Sequence, residues 1–246
     1  MTTAFYAPPS ALHGSTLKLP DDEARHATRV LRKQAGDEIV VVDGAGHWHR
    51  VRLDRVGRDK AAGTVLETRE GVGESSYELT VGIGLLKNTN RFETFLEKAV
   101  ELGVRRIVPL LTARTEKESL KERRARNILI AAMKQCGRSW LPTLTAPRPL
   151  FDLASEDTYD RTFICHGQDG GVPSLAEALA AEALPEARLL VLVGPEGGFT
   201  EQEVEQMQTE GGQVVHLGAR RLRTETAGIV AATAVQLAET GSSVDV

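Results

Sequence analysis

The chain has 246 residues, 41% hydrophobic and 26% charged, with a net charge of −4 at neutral pH. That is the make-up of a soluble globular protein with one large or two ordinary domains. Its longest apolar runs are too short to span a membrane, and the net acidity argues against a generic polyanion binder.

Met1 to Pro9 carry neither the basic region nor the apolar core of a signal peptide. Residues 1–72 predict a small β-rich module. Asp21 to Arg32 reads as a helix with acids in its first turn and bases in its last, which complements the helix dipole. The module carries Arg25, His26, Arg29, Arg32 and Lys33 close together. Glu38–Val42 is a strand ended by the turn Asp43-Gly44-Ala45-Gly46. His47–Leu53 alternates with period two, as a half-buried strand does, and Gly63–Thr68 is a third candidate.

Gly71–Ser76 reads as a linker. Beyond it, residues 73–246 alternate strands with helices, the pattern of a parallel sheet covered by helices. The predicted order is strand Leu79–Leu86, helix Arg91–Leu102 stopped by Gly103, strand Arg106–Leu111, and helix Lys121–Gln135. Strand Arg161–Cys165 leads into His166-Gly167. Strand Leu189–Val193 leads into Gly194-Pro195-Glu196-Gly197-Gly198-Phe199, and helix Glu201–Glu210 follows. Last come strand Gln213–Leu217, helix Glu225–Glu239 and a loose tail from Thr240 to Val246. Cys136 and Cys165 make no metal-spaced pair and read as reduced thiols of a cytoplasmic protein.

The glycine-rich stretch narrows the ligand. Five apolar residues before it leave no polar face, so they form a buried strand. Thr200 with Glu203 is a capping box, so a helix starts there. The loop therefore lies at the carboxyl end of a strand, where open α/β sheets bind ligands. It does not suit a dinucleotide. Pro195 has no N–H for a pyrophosphate, and Glu196 stands where the second glycine of G-x-G-x-x-G belongs. A carboxylate is better tolerated beside a ribose hydroxyl or a cation such as the sulfonium of S-adenosylmethionine. A tight turn that only satisfies the backbone is the plainer alternative.

Residues 105–138 hold ten Lys/Arg against three Glu, a local +7 that leaves −11 on the rest. Such asymmetry suggests an anionic partner, plausibly RNA, against the alternative of a solvated helix face.

Taken together, His26–Arg32, Glu97–Val104, Gln135–Arg138, Gly194–Phe199 and Leu217–Ala227 resemble one family. This is the bacterial 16S ribosomal RNA uridine-N3 methyltransferases, of the SPOUT class of knotted methyltransferases. The resemblance covers nearly the whole chain. It implies an α/β fold in which residues 1–72 form a PUA-like β-barrel that grips RNA, and residues 73–246 a methyltransferase domain with a trefoil knot. It implies S-adenosylmethionine enclosed by three loops, with His166, Gly167, Gly194, Pro195, Glu196, Gly197, Gly198, Leu217, Gly218, Leu222 and Thr224 around it. It implies 16S ribosomal RNA within the assembled 30S subunit as substrate, a homodimer, no membrane partner and a cytoplasmic location. Arg25, His26, Arg29, Arg32, Arg91 and Arg138 are the expected RNA contacts. Lys134, the Lys87–Arg91 stretch, Ala219 and Arg221 depart from the family's usual wording.

Methylating N3 of uridine requires loss of its proton and stabilisation of the resulting charge. Methyl transfer from this donor needs no metal, and no metal-ligand cluster is visible. Arg223 and Glu225 are the expected catalytic residues, Arg223 for the uridine anion or a phosphate and Glu225 as base or helix cap. His166 is a second candidate base, with a structural role as the alternative. Arg138 reaches RNA or forms a salt bridge at a helix end. Competing readings are a knotted methyltransferase of a ribose hydroxyl or of transfer RNA, a nicotinamide-dependent oxidoreductase, and a non-catalytic RNA-binding assembly protein.

Overall fold

The computed structural model describes residues 4–156, 159–167, 171–180 and 184–242. The chain divides into two compact units. One is residues 1–74 with Leu129–Leu141; the other is Ser75–Ile128 with 142–246. The break after Glu74 falls inside the predicted linker. The return of 129–141 to the first unit is a long-range event with no mark in local sequence.

The first unit is built on one six-stranded sheet. Its strands are β1 (Phe5–Tyr6), β2 (Leu12–His13), β3 (Thr16–Lys18), β4 (Glu38–Val42), β5 (His47–Val56) and β6 (Ala61–Glu70), ordered β1-β4-β5-β6-β3-β2. The alternation along β5 puts Val51 and Leu53 inside and Arg50 and Arg52 outside. With Phe5, Leu17, Ile39 and Val41 they form the unit's core. β1 to β3 have two or three residues each, too few for a periodic signal in the sequence. The predicted helix from Asp21 is shorter than expected. α1 (Asp21–Arg25) widens into a π-helical turn over His26–Val30, and Arg32 ends it at φ 53°. The predicted linker is anchored rather than free, because Ser139 N–H donates to Val72 O at 3.0 Å.

The second unit carries β7 (Glu78–Gly84), α2 (Thr89–Glu101), β8 (Arg106–Leu111), α3 (Glu122–Cys136), β9 (Thr143–Leu144), β10 (Arg148–Pro149), α4 (Leu150–Glu156), β11 (Arg161–Cys165), α5 (Leu175–Ala180), β12 (Arg188–Val193), α6 (Glu201–Thr209), β13 (Gln213–Val215) and α7 (Thr224–Ser242). α3 begins here and ends in the first unit. The strands run parallel in the order β10-β8-β7-β12-β11-β13, with β9 also paired to β8.

Each predicted strand and helix of this unit is present. The Thr200–Glu203 capping box forms as expected, with Glu203 N–H donating to Thr200 Oγ1 and Thr200 N–H to Glu203 Oε2. α2 starts two residues early because Asn88 Oδ1 accepts from the N–H groups of Asn90 and Arg91. β13 stops at Val215, so His216 and Leu217 belong to the loop. α7 continues through Ser242, into the expected tail; residues 243–246 lie outside the described residues. α4 and α5 were not predicted, and at seven and six residues they are too short for a helical period to show.

α7 packs on α2, β7 and β12, with Ala231, Ala232 and Val235 buried. α2 meets it with Phe92, Phe95, Leu96 and Ala99. A second cluster, including Leu110, Leu153, Ile164, Leu192, Phe199 and Met207, fills the space beneath α4 and α6.

Candidate functional site

The parallel register brings Ile83, Val193, Cys165 and Val215 to one edge of the sheet. The loops after β7, β12, β11 and β13 therefore leave side by side. Between them lie two adjoining hollows of about 470 and 360 Å³. The first is lined by Gly194–Gly198, Arg221–Thr224 and Arg91. The second is lined by His166, Gly167, Leu217, Gly218 and Arg220. Cys165, Arg221, Leu222 and Ala227 line both, so the two make one cleft. Each of the eleven residues expected around a cofactor lines one hollow or the other.

The glycine loop is held by groups far from it in sequence. Gly198 N–H donates to Pro195 O at 2.8 Å, closing a turn that leaves Gly198 at φ 71°. At Gly84 a Cβ would lie 2.3 Å from Pro195 N, so only glycine lets β7 pass beneath this turn. Arg114, on the loop after β8, donates from Nη1 to Gly197 O at 2.7 Å and Phe199 O at 3.2 Å. Its neighbour Ala113 donates its N–H to Glu203 Oε1 at 2.8 Å, so the buried capping carboxylate also ties that loop down. Glu196 Oε1 accepts from Lys87 N–H at 3.2 Å. Sequence reasoning placed Arg114 in the basic run; its role as a clamp had no local signal.

Arg223 is exposed at the cleft and Glu225 is buried beside it in the first turn of α7. Arg91 Nε lies 3.6 Å from Glu225 Oε1. Arg91, expected on RNA, is thus a cleft residue. Burial pushes the Cys165 thiol up to about 12, which keeps it protonated at neutral pH. His166 donates its backbone N–H to Val215 O at 3.1 Å, and its side chain borders the second hollow.

Part of the basic run is internally paired, while Lys121 and Arg123 are exposed. Arg124 pairs with Glu93, Lys134 with Glu23, and Lys117 donates to Thr89 Oγ1. Of the two alternatives for Arg138, the salt bridge is the one present in the structure. The Arg138 side chain is 4% exposed and its Nε and Nη2 both hold Glu74, the shorter bond being 2.6 Å. Glu74 Oε1 also accepts from the N–H groups of Ser139 and Trp140, so this is a buried structural knot. In the first unit Arg25, Arg29 and Arg32 are exposed, Arg29 against Asp59. His26 is half-buried, edge-on to Phe5 with ring centres 6.0 Å apart.

Comparison with known proteins also separates an N-terminal part from the rest, though it keeps 129–141 with the second part. Residues 73–236 match the RNA methyltransferase domain and residues 19–66 the RNA methyltransferase PUA domain. Ribosomal RNA small subunit methyltransferase E of Synechocystis is 34% identical, over 91% of this chain and 73% of that protein. The protein of the same name from Bacillus subtilis is 28% identical, over 89% of each. The structure of the Neisseria gonorrhoeae protein of that name, bound to S-adenosyl methionine, superposes with a TM-score of 0.83 at 30% identity, covering 96% of this chain and 98% of that one. With its N-terminal PUA-like domain and the parallel α/β domain that carries the cleft, the chain belongs to the RNA methyltransferase family.

Proposed function

We propose that the protein transfers a methyl group from S-adenosylmethionine to N3 of a uridine in 16S ribosomal RNA. The observation that carries this reading is the convergence of three glycine-bearing loops on one cleft beside Arg223 and Glu225. The cleft suits the donor. Gly167, Gly198 and Gly218 have no atom within 4 Å of where a Cβ would stand, so backbone is open to a flat ligand. Glu196 supplies one carboxylate at the edge. The relatives named for the small-subunit ribosomal RNA, and the donor bound in the Neisseria structure, support the same substrates.

Bound S-adenosylmethionine supplies an electrophilic methyl carbon. The loops 166–167, 194–198 and 217–224 enclose its adenosine, and Arg114 and Glu203 keep the glycine loop in place. Glu225 accepts the N3 proton, and Arg91 orients its carboxylate. Arg223 meets the negative charge that develops on the uracil. Arg25, His26, Arg29 and Arg32 hold RNA at the PUA-like unit.

The reading includes a homodimer, supported by an apolar groove between α5 and α7 with Leu237 63% exposed at its edge. It includes the assembled 30S subunit as substrate, a cytoplasmic location and a knot through which the chain enters α7. Among the described residues no helix is long and apolar enough to cross a membrane.

The test is methyl transfer from labelled S-adenosylmethionine to 30S subunits that lack the modification, with nucleoside analysis. Label in 3-methyluridine is the expected result. Label in another nucleoside makes this an RNA methyltransferase of different specificity, and no transfer despite donor binding overturns the reading.

A further inference from the structure

We infer that Arg220 and Arg221, beside Arg223, form a phosphate clamp at the mouth of the cleft, gripping the backbone of the substrate RNA across the cofactor site. The inference rests on the methyltransferase reading above and names the groups that engage the RNA there.

The argument starts from which cations are occupied. In the basic run, Arg114, Lys117, Arg124, Lys134 and Arg138 each have an internal acceptor. Arg91 at the cleft is held by Glu225. Arg220, Arg221 and Arg223 are all exposed, and among the described residues none of their guanidinium groups has an ion pair or hydrogen bond. Three like charges within four residues repel one another. An external anion relieves that repulsion.

Their placement says which anion. Arg223 lines the first hollow, Arg220 the second and Arg221 both. The three therefore border both parts of the opening. The first turn of α7 begins at Thr224, so its positive dipole end adds to the same potential. The one carboxylate of a methionyl donor matches a single guanidinium. A polynucleotide carries a charge at every step, and guanidinium is the side chain that pairs with phosphate through two parallel bonds. On a chain of net charge −4, a local positive mouth draws RNA to the catalytic edge and not to the rest of the surface.

The experiment compares the full-length protein with its Arg220→Gln/Arg221→Gln double variant, leaving Arg223 in place. Binding of an oligouridylate and of 30S subunits is titrated over a series of salt concentrations, and donor affinity is measured by calorimetry. Loss of two single-strand phosphate contacts is expected to lower the slope of log affinity against log salt by about 1.4, and to weaken binding roughly tenfold at about 0.15 M salt. Both arginines sit on a loop of the cofactor cleft, so donor affinity is read beside RNA affinity and is expected to fall less than it. An Arg221→Lys variant, which keeps the charge but not the fork, should keep the slope and lose part of the affinity. An unchanged slope and affinity in the double variant would overturn the clamp. So would a loss of donor affinity with RNA binding intact, which assigns these arginines to the cofactor's carboxylate. Failure of the wild-type protein to methylate 30S subunits would sink the function reading on its own, since the oligouridylate slope is read without turnover.

Discussion

Arg91 Nε sits 3.6 Å from Glu225 Oε1, tying the first turn of α2 to the first turn of α7 at the edge of the cleft. The acid is buried and the arginine about one-third exposed, so the pair sits where solvent gives way to the protein interior. If Glu225 takes the N3 proton, Glu225→Gln lowers kcat by about 10²- to 10⁴-fold with donor affinity kept. Arg91→Ala gives a smaller loss, and the double variant falls short of the sum because the two act as a unit. Single-turnover rates with saturating donor check this, and an unaltered rate in Glu225→Gln would reduce the residue to a helix cap.

Arg114 acts on the cofactor loop from a neighbouring strand. Removing its two bonds to Gly197 O and Phe199 O frees the loop. At about 1 kcal/mol per net hydrogen bond, Arg114→Ala should weaken donor binding roughly ten- to thirtyfold. Arg114→Lys should recover only part, since one ammonium lacks the guanidinium's planar geometry. Calorimetric titration of the donor reads both.

Gly84 carries a sharper prediction. An alanine Cβ there would meet Pro195 N at 2.3 Å, a backbone atom that cannot rotate away. Gly84→Ala is expected to cost at least about 1–3 kcal/mol and to displace the turn at Pro195. A denaturant melt together with a donor titration tests it; a variant with wild-type values for both would show that β7 and the turn at Pro195 can move apart freely.

The Arg138–Glu74 pair is structural. Arg138→Ala leaves a largely buried carboxylate facing the Ser139 and Trp140 amides without its cation, and should destabilise the protein by about 3–5 kcal/mol. Its RNA affinity, measured on the folded protein, should keep the wild-type salt slope. A shallower slope at unchanged stability would restore Arg138 as a phosphate contact.

His49 gives a pH dependence. It is 3% exposed, bonded through Nδ1 to Thr68 Oγ1 at 2.9 Å and stacked on His47. Burial, opposed by Asp43, holds its pKa below the ordinary 6.5. The unfolded chain therefore binds the proton more readily, and stability rises with pH across that window. The stability is complete above about 6.5 and falls as acid protonates the unfolded chain. His49→Gln should flatten the acid side of a plot of melting temperature against pH, and an unchanged acid limb would remove His49 as its source.

Several features were legible in the residues alone because their causes are local. The apolar run Leu189–Val193 has no polar face, and Thr200 and Glu203 are one helical turn apart. Gly103 takes φ 81°, the left-handed conformation that ends a helix. Pro195 and Glu196 reshape a glycine loop within a few residues. These fixed the strand–loop–helix order, the edge of the sheet that carries the cleft, and the family. What each charged side chain does was settled only by the tertiary structure. Arg138 meets Glu74 across 64 residues, Arg114 meets Gly197 across 83, and Lys87 N–H meets Glu196 across 109. A guanidinium has the same charge whether it faces a carboxylate, a carbonyl or water. Its role depends on which strands the sheet order makes neighbours, and that order arises from packing the whole core.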